Sequence, residues 1–147
     1  MEKNIHGLIK KMHNNDVNLK KIFDSAIKNH KNNNFSVAEK LYKQVLEINP
    51  SHFDSIFYLA SLSAQTKNLS KARELLEKAI QIRPNYVSSY NNLGGVFLEL
   101  GKYFEALVSF QKAIMIDPNH VNARNNLTAL LRSTQLRKIE GTNLKEL

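Results

Sequence analysis

The sequence predicts an all-α fold built as a solenoid of paired antiparallel helices, and three observations carry that prediction. The only prolines, Pro50, Pro84 and Pro118, stand 34 residues apart, closing "INP", "IRP" and "IDP". A period of that length marks stacked supersecondary units. Upstream of each proline, Ala38, Ala72 and Ala106 are followed by Tyr42, Leu76 and Phe110, then Val45, Ala79 and Ala113, then Ile48, Ile82 and Ile116. Steps of four, three and three place these side chains on one helical face. A second apolar pattern fills the first half of each period, so each unit holds two amphipathic helices.

In chain order, residues 1–18 read as a basic N-terminal segment or capping helix, in which Ile5, Leu8, Ile9 and Met12 keep helical spacing beside a lysine face. Residues 19–52, 53–86 and 87–120 are three full units. In their first helices Ile56, Leu59, Ala60 and Ser63 correspond to Tyr90, Leu93, Gly94 and Phe97, and more weakly to Ile22, Ser25, Ala26 and Asn29. The small residues Ala26, Ala60 and Gly94 are expected to let the paired helices approach closely. Gly101 in "ELGKY" and the asparagines in "KNNNF" and "KNLS" are expected to turn the chain within each unit, because glycine and asparagine tolerate left-handed backbone angles. Each proline ends a second helix and starts the link to the next unit. Residues 121–147 form a partial fourth repeat or a C-terminal capping helix and tail, with Arg124, Arg132, Arg137 and Lys138 keeping that end soluble.

Composition narrows the function. A chain of 147 residues, 42% hydrophobic with five glycines, has enough material for its own core. It has no cysteine, which removes disulfides, thiolate metal sites and cysteine nucleophiles and suits a reducing, cytoplasmic setting. No apolar run is long enough for a signal peptide or a membrane span. Of the formal charge of +8, residues 1–48 carry +4, residues 49–118 carry +1 and residues 119–147 carry +3. The basic ends and neutral centre differ from the continuous basic stripe of a nucleic-acid groove.

The pattern resembles the tetratricopeptide repeat. Its succession of a large residue, Leu-Gly, an aromatic, then Ala, Phe, Ala and Pro appears here as Tyr90, Leu93-Gly94, Phe97, Ala106, Phe110, Ala113 and Pro118. Residues 53–86 match it moderately, and residues 19–52 match well only in their second half, with Ser25 and Asn29 where larger apolar groups are usual. The resemblance implies a right-handed solenoid whose first helices line a concave groove. "YNNLGGVFLELGKYFEALVSFQKAI" is similar to the repeats of O-linked N-acetylglucosamine transferases and of bacterial repeat regions attached to glycosyl-, methyl- or sulfotransferases. Asparagines at the position of Asn92 and Asn126 line the groove of such repeats and hold peptide backbone. Tyr58 and Asp24 stand at that position in the earlier units, so the ladder has two clear rungs. The lysine, asparagine and arginine set with which some members clamp a C-terminal carboxylate is missing; Phe23 and Ile27 occupy its first positions.

The expected binding set is therefore Asn92 and Asn126, with Asn91 and Asn125 at the groove edge and Tyr58 stacking on a ligand side chain or bonding through its hydroxyl. A carboxamide offers both donors and an acceptor, so it can pair with both polar groups of an extended backbone. Eighteen of the 147 residues are asparagine, and solvated or capping amides account for the same residues without a ligand. Projecting the first helices onto the groove adds Phe57, Ser61 and Gln65, then Ser88, Gly95 and Glu99, then Asn122, Ala129 and Arg132. No catalytic motif is present, and no cofactor or metal is expected: His52 and His120 recur at equivalent repeat positions, which repeat architecture explains without a metal. The expectation is a noncatalytic module binding a protein or extended peptide. The alternatives are a substrate-targeting component of a transferase system, a nucleic-acid adaptor or membrane-surface contact using basic ends such as Lys3, Lys10, Lys11, Lys20, Lys21, Lys28 and Lys31, and self-association through convex faces or ends.

Overall fold

A computed structural model describes the backbone of residues 2–143 and the side chains of residues 15–133. The described residues form seven helices: α1 (Glu2–Lys31), α2 (Phe35–Ile48), α3 (Phe53–Gln65), α4 (Leu69–Ile82), α5 (Val87–Glu99), α6 (Tyr103–Ile116) and α7 (Val121–Asn143). Consecutive helices pack as hairpins, α1 on α2, α3 on α4 and α5 on α6, and each second helix packs on the first helix of the next unit. Odd-numbered helices also approach one another directly, α1 to α3, α3 to α5 and α5 to α7. The stack therefore curves with the odd helices inside. None of the described helices is long and apolar enough to cross a membrane. The apolar residues at 5, 8, 9 and 12, the lysines at 3, 10 and 11, and Arg137 and Lys138 have side chains outside the described residues; along α1 the helix continues through residue 18 without a break.

The turns repeat as closely as the helices. Asn33, Lys67 and Gly101 have φ of 60°, 62° and 73°. After each, a backbone N–H reaches back five residues, from Asn34 to Asn29, Asn68 to Ser63 and Lys102 to Phe97, at 2.8–2.9 Å. These are Schellman closures, which require a left-handed residue just past the helix. In "KNLS" that residue is Lys67 and not the expected asparagine. Asn68 instead begins α4, its side chain accepting from the Lys71 N–H at 3.4 Å. Position in the closure decides the backbone angle, and Lys67 adopts it despite its Cβ. Between units, the N–H of His52, Tyr86 and His120 each bonds the carbonyl three residues earlier at 3.1 Å, across Pro50, Pro84 and Pro118. Proline at the second position of such a turn supplies the φ the turn needs.

Most repeat positions read from the sequence are in the core, but Ile48 is exposed and Ile82 and Ile116 are only half-buried, because each is the last residue of its helix, beside the proline link. Ala38, Tyr42, Ala72, Leu76, Ala79, Ala106, Phe110 and Ala113 are buried, as are Ala26, Ala60 and Gly94 on the facing helices. A Cβ added at Gly94 would lie 2.5–2.8 Å from the Phe110 ring, so glycine is what admits an aromatic there. In the preceding units the small partner is alanine, facing Leu76 or Tyr42. The outer helices α2 and α4 are tied by Glu39, whose carboxylate bonds Lys71 at 2.6 Å and Lys43 at 2.9 Å. Those two ammonium groups hold the Glu39 carboxyl at about 2, below its ordinary 4.5.

Candidate functional site in the concave face

Two clefts open on the inner helices and meet at Ser61 and Gln65. The first, of about 360 Å³, lies between α1 and α3 and is lined by Ile27, His30, Lys31, Asn33 and Tyr58 as well as the shared pair. Tyr58 is 39% exposed. Its ring lies parallel to that of buried Tyr42, with centroids 6.3 Å apart, and edge-on to Phe57. Packing thus fixes the ring of Tyr58 while leaving part of its surface open to the groove.

Beneath Tyr58 runs a polar chain through three helices. His30 Nδ1 lies 3.1 Å from the Tyr42 hydroxyl, and His30 Nε2 lies 3.0 Å from Gln65 Oε1. The Gln65 oxygen can only accept, so His30 Nε2 donates in that contact, and the Tyr42 O–H can donate to Nδ1. Burial raises the Tyr42 phenol above its ordinary value and keeps that donor protonated. Sequence reasoning gave His30 no role. Its repeat equivalents are Ala64 and Leu98, and that departure from apolar to imidazole was the available signal.

The second cleft, about 340 Å³, lies among α3, α5 and α7 and includes Asn91, Asn92, Gly95, Glu99 and Asn126. Asn126 Nδ2 donates to Asn91 Oδ1 at 3.0 Å, and Asn91 Nδ2 reaches Asn92 Oδ1 at 3.5 Å. The three amides form one line across two helices. In that arrangement Asn126 Oδ1 remains an available acceptor and Asn92 Nδ2 an available donor. Beside them Gly95 has open space where a Cβ would stand. The Lys67 ammonium pairs with Glu99 at 2.7 Å at the edge of this cleft, which lowers its net negative charge.

Of the expected groove residues, Tyr58, Ser61, Gln65, Asn91, Asn92, Gly95, Glu99 and Asn126 line the two clefts. Asn125 is exposed and lines neither. Asn91 takes its amide partner from the next inner helix, and Asn125 on α7 has no following inner helix among the described residues. Ser88, Asn122, Ala129 and Arg132 also line neither cleft. Phe57, expected near the groove, is buried in the core against Phe53 and Tyr86. His52 and His120 cap α3 and α7: their Nδ1 atoms accept the N–H of Ser55 and Ala123, each at 3.2 Å. Among the described residues no cluster of three or more metal-ligating side chains occurs.

Two tetratricopeptide repeat models match the chain, over residues 30–94 and 87–120. The chain belongs to the tetratricopeptide repeat family. No curated protein sequence matches it. Its fold is similar to that of the Thermobaculum terrenum O-GlcNAc transferase, at 23% identity and a TM-score of 0.75 over 80% of this chain, which spans only 22% of the transferase. It is similar to the first repeat domain of Spaghetti (RPAP3), solved bound to the HSP90 peptide SRMEEVD, at 19% identity and a TM-score of 0.76, covering 80% of this chain and 93% of that one. The Sgt2 repeat domain of Aspergillus fumigatus gives 23% identity and a TM-score of 0.73, covering 86% and 82%. Repeats of this family generally mediate protein–protein interactions.

Proposed function

We propose that this tetratricopeptide protein is a noncatalytic interaction module that holds an extended protein segment along its concave face. The observation that carries the reading is the line of amides, Asn126 to Asn91 to Asn92, beside the open space at Gly95. An acceptor at one end and a donor at the other match the alternating C=O and N–H groups of an extended backbone. Asn91 acts from within the line, holding its neighbours' amides in orientation. Tyr58 presents a fixed aromatic surface in the adjoining cleft, where one ligand side chain can set register. The peptide solved on the Spaghetti domain ends in "EEVD". Here Phe23 and Ile27 are packed on the core cluster at the N-terminal end of the groove, so an acidic C-terminal tail finds no matching cations at those positions.

The test selects binders from a displayed library of random linear peptides and measures their affinity for the wild-type protein and for Asn92→Ala combined with Asn126→Ala. Helicity is expected to stay unchanged while affinity falls at least about tenfold, the loss of one to two hydrogen bonds in a partly dry site. Unchanged affinity with unchanged helicity would remove the amides from the mechanism.

A further inference from the structure

The outer face of α6 departs from the other outer helices in one consistent way. Phe104 and Met115 are 73% and 75% exposed, and Val108 is 48% exposed. The repeat-equivalent residues are Ser36, Lys40 and Glu47 on α2, and Ser70, Glu74 and Gln81 on α4, all exposed and polar. Packing within the repeat therefore places no demand for apolar side chains at these positions. On α6 the exposed residues Phe104, Val108, Gln111 and Met115 advance by four, three and four, the spacing of a two-helix seam. Ala106, Phe110 and Ala113 point the other way into the core.

We infer that two copies of this chain pair through α6 in an antiparallel, two-fold arrangement, with Phe104 of one copy against Met115 of the other and Val108 against Gln111. The flanking charges argue for a second copy. Glu105 and Lys112 hold the same flanking position in successive turns of the seam. Across an antiparallel two-fold pair these positions face each other, so Glu105 meets the second copy's Lys112, twice by symmetry. They are the only charged residues of α6, so the helix is neutral in a chain whose formal charge of +8 otherwise repels its copies. The corresponding positions on α4 are Lys71 and Lys78, which would set like charges opposite each other. Next to the seam, a recess of about 170 Å³ lined by Tyr103, Phe104, Leu107, Leu130 and Leu131 extends the apolar surface. Phe104 against Met115 is also a favourable ring–thioether contact. This face lies opposite the groove, so pairing leaves both grooves open, and the inference stands whether or not the groove binds peptide.

A seam of about 17 Å is short for an obligate interface, so the dimer dissociates in roughly the micromolar range. Sedimentation equilibrium over a concentration series is expected to show a reversible monomer–dimer equilibrium for the wild type. Phe104→Glu with Met115→Glu should weaken it at least about thirtyfold without loss of helicity, since both side chains are exposed. Glu105→Lys alone, and Lys112→Glu alone, should each weaken it about three- to tenfold, and the two together should restore it. A wild-type monomer at all concentrations up to about 1 mM, a dimer indifferent to the Phe104 and Met115 changes, or a double charge exchange that fails to restore pairing would each overturn the inference.

Discussion

The hairpins α3–α4 and α5–α6 share one 34-residue plan and solve it with different residues. Where the second unit packs Ala60 with Leu76, the third packs Gly94 with Phe110. Where the second turns on Lys67 at φ 62°, the third turns on Gly101 at φ 73°. The second caps its first helix with His52, whose Nδ1 takes both the N–H of Ser55 at 3.2 Å and its hydroxyl at 2.9 Å; the third has Tyr86 there, and the buried hydroxyl of Ser89 has no partner. In the groove Tyr58 is replaced by Asn92, and on the outside polar residues give way to Phe104, Val108 and Met115. Two lessons follow. Between these two units the interior trades volume across facing residues, alanine with leucine for glycine with phenylalanine, while both outward surfaces are free to diverge, and it is there that the third unit carries its amides and its apolar seam.

The sharpest break in the comparison is at Gly94. A Cβ there meets the Phe110 ring at 2.5–2.8 Å, and Phe110 is wholly buried. The overpacking outweighs the helix propensity gained on replacing glycine, so Gly94→Ala should cost about 2 kcal/mol in urea unfolding. Phe110→Leu alone should cost roughly 1–2 kcal/mol through the cavity it leaves. Combining them rebuilds the Ala60–Leu76 pair of the second unit, and the double variant should be more stable than the sum of the singles predicts by at least about 1 kcal/mol. Additive losses would mean that the two positions do not share their volume.

How far such features were legible depends on what fixes them. The period, the facing small and large residues and the proline turns are properties of one residue type at one spacing, and the sequence exposes them directly. Lys67 was not legible as the left-handed residue, because the angle is imposed by the Schellman bonds on either side and Asn68 looked like the better candidate. Histidine caps at positions 52 and 120 showed only as an equivalence, since the capping bond depends on a tautomer. The groove positions of Asn92 and Asn126 follow from helical projection. The bond from Asn126 to Asn91 does not, since it requires side-chain rotamers and the approach of α7 to α5. Asn125 shares the residue type and the repeat position of Asn91 but lacks the next helix, which repeat arithmetic does not register.

The junctions between units differ as well. Glu39 on α2 reaches across to Lys71 on α4, whereas the equivalent residues at the next junction, Arg73 and Glu105, turn to Glu77 and Lys102 within their own unit, each at 3.8 Å. The Glu39 carboxyl is lowered from 4.5 to about 2, so its contribution to stability is complete above pH 4.5 and is lost as pH falls toward 2. Because the Glu39 side chain is about one-third exposed, solvent screening reduces the contribution to roughly 1 kcal/mol. Urea unfolding between pH 5 and pH 2 should therefore show a smaller acid-induced loss for Lys71→Met than for the wild type. Identical slopes would remove the α2–α4 ion pair as the cause.

The smallest effect is also the cleanest contrast, because it applies one substitution to two equivalent residues and expects opposite signs. Ser55 and Ser89 are both fully buried three residues after the helix-capping position. The Ser55 hydroxyl bonds His52 Nδ1, so Ser55→Ala gives up a buried hydrogen bond worth about 1 kcal/mol and recovers part of it in helix propensity, a net loss of roughly 0.5 kcal/mol. The Ser89 hydroxyl is buried without a partner, and Ser89→Ala removes that penalty while gaining the same propensity, so the protein should become more stable by at least about 0.5 kcal/mol. Thermal unfolding of the two single variants side by side reads the difference. If both shift the midpoint the same way, the His52 bond does not separate the two units, and the cap of α3 rests on the Ser55 backbone N–H alone.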